Sequence, residues 1–71
     1  MTYEEFICTI WEEVKRCPKC WRKGQSVFNV IDEKFSVARE VQFIDGVDCF
    51  YNDNVIDKFI ELSWERYSKL I

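Results

Sequence analysis

Side chains that could do chemistry fall in three places. Cys17 and Cys20 form C-P-K-C, half of a zinc knuckle or of a thiol redox pair. Asp45, Asp48 and Asp53, with Asn52 and Asn54 beside them, gather oxygen ligands in one stretch. Trp21, Arg22 and Lys23 put an aromatic plane beside two cations, a combination that can stack on a base or nucleotide.

Each place has a competing structural role. A structural zinc takes four ligands. The chain has four cysteines and no histidine, so Cys8 and Cys49 would have to complete the site. Cys8 stands nine residues before Cys17, a separation of roughly 13 Å if the stretch is helical. A thioredoxin-type pair needs a βαβ setting, and the pattern supplies none. The cysteines therefore read as small hydrophobes, with a zinc-stabilised structural domain as an alternative. The acidic stretch lacks the spacing of an EF-hand loop, and turn and capping roles account for it. Trp21 can equally seal the corner between two helices. No metal and no cofactor are expected.

The same inventory argues against an enzyme. Without histidine the commonest general base is missing, and no Ser–His or Cys–His pair can form. Ser26, Ser36, Ser63 and Ser68 have no activating neighbour in sequence. Glu4/Glu5 and Glu12/Glu13 fall on what reads as a solvated helix face.

Composition bounds the fold. A chain of 71 residues makes one small domain, burying only ~60% of the surface it exposes unfolded. Hydrophobic residues make up 48% and aromatics 17%, with two glycines and one proline. That is a rich core with too little punctuation for an all-β protein. Thirteen acids against ten bases give a net charge of −3, so nucleic acid is not expected as a direct ligand. Five of the ten bases lie between Lys15 and Lys23, leaving a net of −8 elsewhere. This basic run reads as a solvated connection or as a contact for an acidic partner. The opening Met1-Thr-Tyr-Glu-Glu is acidic where a secretory leader is basic. No run approaches the ~20 apolar residues of a membrane span. A cytoplasmic protein with reduced thiols is expected.

Periodicity supplies the elements. Thr2 and Glu5 make a capping box. From there Tyr3, Phe6, Ile7, Ile10, Trp11 and Val14 share an arc of roughly 140°, predicting a helix to about Arg16 that Pro18 forbids from continuing. A second helix is predicted from Trp21 or Gly24 to Phe35, with Arg22, Gln25 and Asn29 as its polar stripe. Gly24 costs an α-helix ~1 kcal/mol, so either the helix begins after it or another backbone packs against it. Ser36 reads as the cap of a short helix, Val37 to Val41. Residues 43–51 contain Asp45-Gly46, a turn signal; an ordered loop inserting Phe50 into the core is preferred, with a small hairpin as the alternative. The last helix starts at Asp53 or Asn54. Its apolar arc of roughly 200° suits the central helix of a bundle, or leaves Trp64, Tyr67 and Ile71 to a partner or a second copy.

Two motifs carry a resemblance. Arg22-Lys-Gly-Gln-Ser-Val-Phe-Asn29 and Ile44-Asp-Gly-Val-Asp-Cys-Phe-Tyr-Asn-Asp53 resemble a family of small proteins encoded by bacteriophages, prophages and other mobile elements. The family pattern is R-x-G-Q-x-x-F-N, a short connecting helix, D-P-F-Y-x-D and a closing helix. The resemblance spans roughly residues 16 to 62. Its matches are Arg22, Gly24, Gln25, Phe28 and Asn29, then Asp48, Phe50, Tyr51 and Asp53. Cys49 replaces the usual proline, and Cys17 and Cys20 have no counterpart. The resemblance implies an origin in a mobile element and a bacterial host cytoplasm, but no mechanism. The polar stripe and the Asp48/Tyr51 loop could form an internal hydrogen-bond network or line a site.

The expected fold is an all-α single domain over residues 1–71: three main helices, a short connecting helix, and a structured loop before the last helix. The expected function is a non-enzymatic protein-binding protein that occupies a surface of a host or phage protein, as an inhibitor of a host process or defence system. A small-ligand or nucleotide-binding module is the alternative, and homodimerisation through the last helix is also open. Candidate binding residues are Trp21, Arg22, Lys23, Gln25, Asn29, Asp48, Tyr51 and Trp64.

Overall fold

The structure, a computed structural model, describes residues 1–70. It is all-α. Helix α1 runs Tyr3–Val14, α2 runs Lys23–Phe35, α3 runs Ala38–Glu40 and α4 runs Ile56–Leu70. A π-helical turn, Val41–Asp45, extends α3, and a 3-10 turn, Asp53–Val55, leads into α4. No strand occurs among the described residues, and no helix there is long and apolar enough to cross a membrane.

Helix α1 starts where its capping box sits. The Glu5 amide donates to Thr2 Oγ1 at 3.2 Å, and the Thr2 amide donates to Glu5 Oε1 at 2.8 Å. Two orphan amide groups of the helix start are thereby satisfied. Beyond Val14 the chain unwinds through turns that bring Trp21 back over Pro18.

Helix α2 is the centre of the bundle. Seven of its thirteen residues are buried, against four of fifteen in α4. The wide apolar arc of the last helix suggested the reverse. The difference lies at the far end of α4, where Trp64 and Tyr67 are only half-buried and meet α1 at its edge. Phe6 is fully buried there, its ring 4.5 Å from Phe35, 5.2 Å from Trp64 and 5.8 Å from Tyr67. Tyr3 adds a further contact to Trp64 at 5.8 Å. The surplus apolar surface of α4 is thus covered within the chain as far as Tyr67. Leu70 is exposed, and Ile71 lies outside the described residues.

Three sequence expectations change in detail. Ser36 does not cap α3; it ends α2 in the left-handed conformation (φ 59°), its amide returning to Ile31 and Asp32. The hairpin alternative at residues 43–51 is absent, because Phe43 to Asp45 belong to the π-turn and Gly46 (φ 72°) ends it. The ordered loop with Phe50 packed on the core is what forms. Finally, Asn52 rather than Asp53 or Asn54 caps the turn before α4, accepting from the Asn54 amide at 2.9 Å.

Candidate functional site

Both motifs of the sequence meet at the start of α2. Arg22 is the residue before the helix, and its own side chain caps nothing. The acceptor comes from across the chain instead: the Gly24 amide donates to Asp53 Oδ1 at 3.1 Å. An acceptor at this position satisfies one of the four unpaired amides of a helix start, and its negative charge suits the positive end of the helix dipole. Arg22 closes the arrangement, donating to Asp53 Oδ1 at 3.3 Å and to the Phe50 carbonyl.

Gly24 has a second reason to be glycine. A Cβ there would drive into the Cys49 carbonyl oxygen and stand 2.6 Å from Asp53 Oδ1. Of the two sequence readings, close backbone packing is therefore the one that holds, with the helix beginning one residue before the glycine. The Cys49 thiol donates to the Gly24 carbonyl at 3.3 Å and is completely buried. Burial first, and then the nearby Asp48 charge, push its pKa up to about 12. It stays a protonated thiol, unreactive as a nucleophile. Phe50 then packs edge-on against Phe28, 5.5 Å between centroids.

Asp48 belongs to a different pair of contacts. Its carboxylate accepts from Gln42 Nε2 at 2.7 Å and from the Phe50 amide at 2.9 Å. It thus ties the loop to the π-turn rather than to α2.

The predicted site residues are therefore dispersed. Arg22 is drawn into the loop anchor. Trp21 and Asn29 line a shallow groove of about 240 Å³ between the end of α1 and α2. Lys23 is exposed on the first turn of α2, and Gln25 is half-buried there. Trp64 lies in the aromatic cluster with Phe6 and Tyr67. Tyr51 alone remains a large apolar side chain open to solvent, and it has company. Phe43 is 77% exposed, Ile44 70% and Tyr51 74%. Phe43 and Tyr51, with Phe28, Phe50, Arg39 and Gln42, line an open groove of about 210 Å³. Four of these six residues are aromatic, and Arg39 is the one that carries charge.

The π-turn explains the exposure. At α-helical spacing Ile44 would follow Val41, which is completely buried, onto the core side. Phe43, two residues from Val41, faces outward at either spacing; the wider i→i+5 turn shifts Ile44 out beside it while Val41 stays in. The free end of the turn is held by Arg66, which donates to both oxygens of Asp45 at 3.0 Å and to Glu40 at 3.4 Å. Those bonds hold the Asp45 carboxyl below its ordinary value of 3.8 and raise Arg66. Sequence reasoning missed Arg39, Phe43 and Arg66. Arg66 has no motif around it, and its partner is 21 residues away.

Among the described residues no three His, Cys, Asp or Glu side chains gather closely enough to hold a metal ion. Cys8 and Cys20 are exposed, Cys17 half-buried and Cys49 buried, all as free thiols. What fold and surface define is a small all-α protein with an anchored loop and an open aromatic groove. Comparison with protein-family models, with curated proteins and with solved structures finds no match to this chain.

Proposed function

We propose that this is a non-enzymatic binding protein that works by occupying a surface of another protein, and that the aromatic face at Phe43, Ile44 and Tyr51 is where it does so. The observation that carries the reading is the exposure of these three side chains, each at least 70% open to solvent. A small domain short of buried area gains nothing by leaving two aromatics and an isoleucine in water. Contiguous apolar surface rimmed by polar residues is the usual mark of a protein contact, and aromatic and arginine residues are over-represented at the energetic centres of such contacts. The sequence resemblance adds an origin in a phage or other mobile element, and hence a bacterial protein as partner, with inhibition of a host process or defence system as the outcome.

The test is capture in bacterial cells with a photo-crosslinking residue at position 43, compared with the same residue at Lys58 on the far helix. One partner cross-linked at 43 and not at 58, and lost in the Tyr51→Ser background, is the expected result. Equal labelling from both positions, or none from position 43, would remove this face from consideration.

A further inference from the structure

We infer that the groove is an anchor pocket for a short acidic–apolar segment: one large apolar side chain, with a carboxylate within about one helical turn of it. The inference rests on the reading just given and specifies its partner.

Volume sets the anchor. A cavity of ~150 Å³ accommodates benzene, and this groove measures about 210 Å³. It has room for one large side chain. Its walls suit an apolar one, since Phe28, Phe43, Phe50 and Tyr51 supply most of the lining. The Phe50 backbone is held in place, its amide by Asp48 and its carbonyl by Arg22, and its ring packs edge-on against Phe28.

Charge sets what stands beside the anchor. Arg39 is the sole charged residue of the lining. Among the described residues its one ion pair, Nε to Asp32 Oδ1, is long at 3.7 Å, and its side chain is 75% exposed. A pair of that kind is worth little in water, so the guanidinium can exchange it for a carboxylate that arrives with a bound segment. Gln42 does not compete, since its amide nitrogen already donates to Asp48.

Area argues against a second copy of this chain. An aromatic side chain contributes roughly 150–250 Å² when covered. At their observed exposures Phe43, Ile44 and Tyr51 offer about 400 Å² together, enough to seat a short segment, whereas the ~800 Å² per partner of a stable interface would have to come largely from polar flanking residues. A single segment seated by one anchor needs no such area.

The test is selection from a random 12-residue peptide display library on the intact protein, followed by titration of the enriched peptides. The expected peptides carry Leu, Phe, Trp or Met with Asp or Glu within four positions. Replacing that acid by Gln or Asn, or using Arg39→Ala, should weaken binding about tenfold. Phe43→Ser should abolish it, and Arg39→Glu should turn the preference towards Lys and Arg. Circular dichroism and melting confirm that these surface variants fold. Peptides that bind this face, as judged by Phe43→Ser, without dependence on an acid or on Arg39 would overturn the inference and leave the protein-binding reading standing. If no enriched peptide depends on Phe43 or Tyr51, the reading falls with it. A dimer in sedimentation that Phe43→Ser disperses would make the occupant a second copy and refute the segment.

Discussion

The segment from the π-turn to α4 has two sides, and they are built on opposite terms. On the α2 side polar groups are paired: Gly24 lies between the Cys49 thiol and the Asp53 carboxylate, and Arg22 spans Asp53 and the Phe50 carbonyl. On the other side Phe43, Ile44 and Tyr51 stand in water. The polar residues, whose chemistry invites a functional role, are occupied in holding the loop. The apolar side chains of Phe43, Ile44 and Tyr51 are the ones left exposed. The Cys49–Gly24 contact is buried and the Arg22–Asp53 contacts around it are half-exposed, and together they tie the loop to the start of α2.

Substituting Gly24 should separate the two sides most sharply. At an ordinary helix position Gly→Ala gains up to ~1 kcal/mol. Here the added methyl meets the Cys49 carbonyl, which is backbone and cannot rotate aside. Overpacking of this kind costs ~1–3 kcal/mol, so Gly24→Ala should lower stability by about 2 kcal/mol in chemical denaturation. Release of Cys49 should follow, seen as reaction with a thiol reagent that leaves it untouched in the native protein. An unchanged or raised midpoint would mean that the close approach is not a constraint.

Asp53 should come next. Asp53→Ala removes the acceptor of the Gly24 amide and the partner of Arg22. Loss of a helix-start acceptor costs ~1 kcal/mol. Asp53→Asn keeps an oxygen and loses the charge, so its midpoint should fall between alanine and the native residue. Equal effects of the two substitutions would show that charge, not hydrogen bonding, carries the anchor.

How much of this was legible follows from how local each signal is. The start of α1 is written in two residues, Thr2 and Glu5, and the fold confirms both bonds of the box. The amphipathic arcs place α2 and α4 within a few residues of their observed bounds. Asp53 was misassigned because a carboxylate just before a helix reads as that helix's own cap; here it caps a different helix 29 residues away. Ser36 was misassigned for a related reason, since a left-handed residue that closes one helix looks in sequence like a serine opening the next. The π-turn has no periodic signature at all: one widened turn shifts the face by a register, and only the fold reveals that Ile44 joins Phe43 in pointing outward. Of the candidate site, Tyr51 was named from its motif. Arg39 and Phe43 could not be, because a groove is a property of where chains cross.

Acid should act on the π-turn that presents the groove and on the start of α1. The Arg66 hydrogen bonds hold the Asp45 carboxyl below 3.8, and the Thr2 backbone amide does the same for Glu5 below 4.5. A carboxyl depressed in the folded state adds stability that is complete above its unfolded pKa and is lost as pH falls through its folded one. Melting temperature should therefore hold from neutrality to about pH 4.5 and decline below it. Asp45→Asn should melt lower at neutral pH, and its gap from the native protein should narrow below about 3.8. A gap independent of pH would mean that Arg66 holds the π-turn by packing of its stem rather than by its charge.

The smallest effect on stability is expected where the effect on binding is largest. Phe43→Ser and Tyr51→Ser remove side chains that are 77% and 74% exposed. Surface substitutions of this kind stay within ~0.5 kcal/mol, so the double variant should denature with the native protein while losing its partner. The contrast with Gly24→Ala is the point of the pair. If the double variant unfolds as readily as Gly24→Ala, the aromatic face is part of the domain's own stability and the groove is not free to bind. If it folds normally and still cross-links its partner from another position, the contact lies elsewhere on the surface. Only unchanged folding with lost binding keeps the two sides of the loop apart, one for holding and one for contact.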